Sequence, residues 1–165
     1  MMRPPIQQFS TIFLQPHWMQ FVINELPTIV ITTMLFVAGG IDEMPFMKLC
    51  LIVAVLLALR LLYSFIDLRR IEFRINGEQL IMEHGVFTRK CDYLELYRIV
   101  DFNEHRTIMQ QICGLKAVTI YSGDRNTPKL DVVGLKNDLD LVSIIRERVE
   151  YNKQRKGIYE ITNRI

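Results

Sequence analysis

The sequence predicts an α+β membrane protein. A transmembrane helical hairpin is followed by an antiparallel β-sandwich or partial barrel, which a C-terminal helix caps. Three observations carry this expectation. Two apolar runs lie before residue 67 and are joined by a short acidic turn. After Arg70 the hydrophobic period falls to two, and an Asn-Gly pair separates the first two alternating runs. After Asn137 the period becomes helical.

The charge distribution agrees with that division. Between residues 46 and 66 the only charges are Lys48 and Arg60, whereas residues 68–165 carry 17 Lys+Arg and 14 Asp+Glu. The second part therefore reads as an ordinary water-facing surface. Its basic excess is too small to indicate nucleic acid, but it suits a domain beside anionic headgroups. The expected organisation is an interfacial segment over 1–20, the hairpin over 21–66, a cytosolic domain over 67–156 and a tail over 157–165.

The N-terminal segment holds Phe9, Ile12, Phe13 and Trp18, and Trp18 suits an anchor at headgroup level. The first span runs from about Phe21 to Gly40. Pro27 is tolerable in its first turns, and Thr32 and Thr33 can bond back to the helix. A signal peptide fits poorly, because no basic lead precedes the stretch and a second span follows it. That second span is almost wholly apolar from Leu49 to Leu59 and extends to Ile66. At about 1.5 Å per residue it is long enough for a hydrocarbon core of about 30 Å. The alternative, a buried core helix, needs more surrounding protein than a domain this small provides.

Arg69, Arg70 and Arg74 follow the second span, Arg3 precedes the first, and Asp42 and Glu43 mark the turn. The positive-inside tendency therefore puts both termini in the cytoplasm. Counting from the middle of the turn, Glu25 and Arg60 fall at the same depth, about 26 Å away. Two arrangements meet the cost of placing charge there. The two side chains pair across the helices, or each snorkels separately to the interface.

In the domain, residues 71–75, 80–84, 89–96, 98–102, 115–121 and 129–133 read as strands. Asn76-Gly77 predicts a type I′ turn. Residues 107–113 predict a helical turn, and 122–128 a loop. Asn137 is a candidate N-cap for the last helix, whose apolar stripe is Leu141, Ile144, Ile145 and Val149.

This order of elements carries Gly85-Val86-Phe87, Leu96-Tyr97-Arg98-Ile99, Gln111-Ile112-Cys113-Gly114-Leu115 and Val133-Gly134-Leu135 at its turns. It resembles the bacterial membrane-flanked pleckstrin-homology-like (PH-like) domain family, over roughly residues 21–151. The resemblance implies a PH-like fold after two transmembrane helices in a bacterial cytoplasmic (inner) membrane, with domain and termini cytosolic. Some pleckstrin-homology domains bind phosphoinositides through basic residues around the first hairpin loop. Here that loop, Asn76-Gly77-Glu78, has no Lys or Arg, which argues against such a pocket.

Motifs for chemistry are absent from the sequence. His17, His84 and His105 are scattered without metal-ligand spacing. Glu83-His84 and Glu104-His105 are strand neighbours, which point to opposite faces and make poor dyads. Cys50, Cys91 and Cys113 include no CxxC, so a disulfide framework is not expected. Cys91 is expected to be half-buried in its strand. The expectation is a non-enzymatic module without cofactor or metal. Its hairpin meets membrane lipids, and its domain binds a protein partner or a second copy of the chain. The alternative is an anionic-lipid-sensing or membrane-organising protein. Arg69, Arg70, Arg74, Arg89 and Lys90 are the basic candidates for the membrane surface.

Overall fold

The computed structural model describes residues 9–41 and 46–157. In chain order these form β1 (Ile12–Leu14), α1 (Met19–Gly39), α2 (Met47–Arg70), β2 (Glu72–Ile75), β3 (Gln79–His84), β4 (Lys90–Glu95), β5 (Ile99–His105), α3 (Ile108–Ile112), β6 (Leu115–Ser122), β7 (Lys129–Lys136) and α4 (Leu141–Arg155). The expected acidic turn at Asp42 and Glu43, Arg3, and the tail beyond Gly157 lie outside the described residues.

Both α1 and α2 are long and apolar enough to cross a membrane, and only 6% of their most apolar windows is buried. Among the described residues no protein core surrounds them. Where they meet, small residues let them approach. Thr32, Gly39 and Ala54 are buried, and a Cβ on Gly39 would overlap the Leu51 side chain. Phe21 and Phe65 pack edge to face, 5.3 Å between centroids. Thr32 and Thr33 donate to the carbonyls of Thr28 and Ile29, at 2.7 and 2.9 Å. Two boundaries differ from expectation. Because α1 starts at Met19, Pro27 lies inside the helix rather than in its first turn. α2 continues past Ile66 to Arg70, so Arg69 and Arg70 form its last turn, where cations complement the helix dipole.

The strands form two antiparallel sheets, ordered β1-β2-β3-β4 and β5-β6-β7, and they do not close into a barrel. Phe73, Ile75, Leu80, Leu94, Val118 and Ile120 fill the space between them. Leu141, Ile145 and Val149 of α4 cover it. The alternation expected for residues 71–75 is present, with Phe73 and Ile75 buried and Glu72 and Arg74 on the other face.

Part of the segment expected to be interfacial is β1, an edge strand pairing Ile12–Leu14 with β2. Four local expectations are corrected. The type I′ turn does not form. Ile75 pairs with Leu80, and the Asn76 N–H donates to the Gln79 carbonyl at 2.9 Å. Gly77-Glu78 therefore occupies the centre of the turn, and neither Asn76 nor Gly77 has the positive φ that type I′ requires. A 3₁₀ turn at Leu96–Arg98 precedes β5, which runs on to His105. Asp140 rather than Asn137 caps α4, its carboxylate accepting from the Ser143 N–H at 3.1 Å. Cys91 is exposed on β4, and all three cysteines are free thiols.

The strand directions give the domain two ends. α2 delivers the chain to Glu72, so β2 starts at the hairpin and reaches its far end at Asn76. β3 returns and stops at His84, and β4 leaves again from Lys90. In the second sheet β5 ends at His105, and α3 follows it. β7 passes Gly134, whose carbonyl accepts from the His17 N–H at 2.9 Å. Gly134 has φ +71°, and a Cβ there would press on Gln20 and the His17 backbone. The Gly85–Arg89 loop, α3 and the β7–α4 connection thus face the hairpin. The Asn76–Glu78 turn and the C-terminus of α4 face away, joined by Arg155 and Glu78 at 2.7 Å.

One side chain ties these parts together. Arg148 of α4 is buried. Its guanidinium donates to the carbonyls of Ile75 (2.7 Å), Asn76 (2.9 Å) and Ser10 (2.9 Å), and it lies over the Phe9 ring. Burial pulls its pKa below the ordinary guanidinium value, yet arginine remains charged in proteins.

Candidate functional site at the hairpin–domain junction

The end of α2, the hairpin ends of β2 and β3, and the loop before β4 converge on a polar cavity of about 190 Å³. That is room for about six waters at ~30 Å³ each. Arg69, Arg70, Arg74 and Arg89 line it together with Glu72 and Glu83. Four of the five basic candidates are therefore in one place, and Lys90 lies outside the lining.

The four arginines differ in their partners. Arg74 meets Glu72 at 2.9 Å and Glu83 at 3.1 Å. The Glu72 hydrogen bond, followed by the Glu83 charge, raises its pKa above the ordinary value. It is a neutralised wall of the cavity. Arg69, Arg70 and Arg89 are exposed, and none has an ion pair to a carboxylate among the described residues. Both carboxylates of the lining are engaged by Arg74, so the cavity is left with a positive surplus. His84 completes the rim. Its Nδ1 is buried without a hydrogen bond, 3.8 Å from the Asp92 carboxylate. Such a set can hold a phosphate or carboxylate by charge-assisted hydrogen bonds.

Beside this cavity is a larger groove of about 420 Å³, lined by Phe13, His17, Trp18, Arg69, Lys136 and Leu139 among others. Trp18 immediately precedes α1 and is 51% exposed. The groove is mostly apolar and lies at the same end of the domain.

Glu25 and Arg60 come together within the hairpin. Arg60 donates to both carboxylate oxygens of Glu25, at 2.7 and 3.4 Å, and Ser64 donates to one of them at 2.9 Å. Arg60 also reaches the Thr28 hydroxyl at 3.2 Å. Glu25 is buried between the helices, while Arg60 lies at their surface with 56% of its side chain exposed. The pair joins α1 and α2 at this level.

No cluster of three or more His, Cys, Asp or Glu able to hold a metal ion occurs among the described residues. His84 and the exposed Cys91 are not hydrogen-bonded to each other, and their strand positions alternate with Glu83 and Asp92. The sequence did not mark Gln20 and Gln110, the buried polar pair that joins α1 to the domain, or Arg148, which ties α4 to the β2–β3 turn and the segment before α1. Each occupies a polar position in a helical period, and only the tertiary partner buries it.

The model of the family described as Bacterial PH domain matches residues 22–149. Comparison with curated proteins finds no match. Comparison with solved structures also finds none.

Proposed function

The chain belongs to the bacterial PH domain family, and from that premise we propose that it is a membrane-tethered, non-enzymatic interaction module that engages anionic headgroups of the inner leaflet. PH-like domains are interaction modules for lipids or proteins, generally without catalysis. The hairpin holds this one at the bilayer, with both termini and the domain in the cytoplasm. The observation that carries the reading is the convergence of Arg69, Arg70, Arg74 and Arg89 at the exit of α2. Two carboxylates, both turned to Arg74, leave three guanidiniums for a ligand. The helix end that bears Arg69 and Arg70 is where a lipid phosphate lies when α2 spans the bilayer.

The reading also accounts for the hairpin loop that lacks basic residues. Asn76–Glu78 is at the far end of the domain, away from the lipid, and has no headgroup to meet. The working end is the opposite one.

A test uses the full chain in nanodiscs that mix phosphatidylglycerol with phosphatidylcholine. Wild-type protein released from them retains phosphatidylglycerol preferentially in native mass spectrometry. The triple variant Arg69→Gln/Arg70→Gln/Arg89→Gln loses that preference. At about 1 kcal/mol per basic residue near the surface, the expected loss is on the order of 100-fold in relative affinity. Equal retention by wild type and variant would remove the lipid reading.

The second reading, a protein partner, is favoured by one observation at the far end. Val100 is 72% exposed and Tyr121 39% exposed on neighbouring strands. The β5 edge itself is a poor template for strand addition. A register shift between Ile99 and Asp101 bulges it, and Asp101 and Glu104 charge it. A partner would instead meet the Val100–Tyr121 patch, which the hairpin leaves open.

A further inference from the structure

We infer that the hairpin end of the domain is immersed in the boundary between headgroups and acyl chains, with the Gly85–Arg89 loop and α3 as two apolar feet, one against each helix. The inference rests on the reading that the hairpin crosses a membrane; its apolar tips, Phe87, Ile108 and Ile112, lie outside the lining of the arginine cavity, while Gly85 and Arg89 belong to both the first foot and the cavity.

The first foot is Phe87. It is 90% exposed, at the tip of the loop between β3 and β4. Its ring stacks on Tyr63 of α2, 6.0 Å between centroids and 17° between planes. Tyr63 precedes Arg70 by seven residues, so it sits about 10 Å along the axis from the helix end, toward the middle of the span. Phe87 thus reaches back past the end of α2. The loop is built to hold this shape. Gly85 has φ +105°, and a Cβ there would collide with the Thr88 carbonyl.

The second foot is α3. A capping box fixes its start, with Thr107 and Gln110 each bonding the other's backbone N–H. The buried Gln110 side chain donates to Gln20 at 3.0 Å, and Gln20 is in the first turn of α1. Ile108 and Ile112 are four residues apart and share one face of α3. Each is 75% exposed, and Met109 between them is 46% exposed.

The two feet stand at one depth. The Glu25–Arg60 pair gives a common level in the two helices. Tyr63 lies three residues cytosolic of Arg60, and Gln20 five residues cytosolic of Glu25. At about 1.5 Å per residue the two contacts differ by only about 3 Å in height. Basic residues flank both tips. Arg89 and Lys90 follow Phe87, and Arg106, paired with Glu104 at 2.6 Å, precedes Ile108. Apolar tips with cations beside them have the composition of an interfacial anchor. The bilayer is the occupant that both contacts with the spans already supply.

Tryptophan fluorescence of the full chain in lipid vesicles tests the inference. In a Trp18→Phe background the reporters are Phe87→Trp and Ile108→Trp. Leu56→Trp, within the span and 61% exposed, is the lipid reference, and Val100→Trp at the far end is the water reference. Phe87→Trp and Ile108→Trp are expected to emit at shorter wavelength than Val100→Trp. They should also lose emission to lipids brominated high in the acyl chain. Emission from both positions that matches Val100→Trp while Leu56→Trp is quenched would overturn the immersion and leave the hairpin intact. An unquenched Leu56→Trp would overturn both. Normal immersion in the Arg69→Gln/Arg70→Gln/Arg89→Gln variant would show that the feet act without the cavity.

Discussion

Replacing Arg60 with leucine is expected to destabilise the hairpin by about 3 kcal/mol. That is the scale for a charge stranded in a span or a buried ion pair broken on one side. The carboxylate of Glu25 is buried between α1 and α2, and Arg60 supplies two of its three described hydrogen bonds. Without the guanidinium, only Ser64 remains. Glu25→Gln is expected to cost less, about 1 kcal/mol, because Arg60 is more than half exposed and can snorkel. The two effects are therefore not additive. In a double-mutant cycle the pair shows a coupling of about 1–2 kcal/mol, read by steric trapping in bicelles. The swap Glu25→Arg/Arg60→Glu recovers most of the loss. Additive single effects with no rescue by the swap would show that each charge snorkels alone.

The second large effect is expected at Arg148. Arg148→Leu leaves the carbonyls of Ile75, Asn76 and Ser10 without their donor, two of them at the turn between β2 and β3. An unsatisfied buried acceptor costs about 1–3 kcal/mol. The Asn76 and Ser10 bonds are only partly buried, so water replaces part of that loss. The expected total is about 3 kcal/mol in denaturant unfolding. Arg148→Lys falls between, because one ammonium cannot span three carbonyls as the guanidinium fork does. Because Ser10 and Phe9 lose their hold, limited proteolysis should also cut the segment before α1 sooner. Unchanged stability in Arg148→Leu would contradict this role.

The parts of this architecture that rest on regular repeats were legible in the sequence. Helical rise is constant, so counting from a turn set Glu25 and Arg60 at one depth before their side chains were seen to meet. Strand alternation gave Phe73 and Ile75 to the core for the same reason. What escaped depends on partners far away in the chain. β1 is three residues long, and its only strand signal is its pairing with β2. The Asn-Gly dipeptide was a strong local cue, but pairing of Ile75 with Leu80 moved the turn one residue on. Asn137 and Asp140 are both good caps, and the chain uses the later one because Leu139 packs against the core. The five basic candidates were a set without geometry. Folding brings residues 69, 70, 74 and 89 together and leaves Lys90 out: Arg89 ends the loop before β4, whereas Lys90 is the first residue of the strand and pairs with His84.

The central claim is that two spans hold the domain against the cytosolic face of the membrane, and native chemistry reports on it. Cys91 is exposed on β4 and free. With Cys50 and Cys113 replaced by serine, a thiol reagent that cannot cross the membrane should leave Cys91 unlabelled in intact spheroplasts and label it after lysis. In the same background with Cys91→Ser, Asp42→Cys should label in intact spheroplasts. Labelling of Cys91 before lysis, or protection of Asp42→Cys until lysis, would contradict the account.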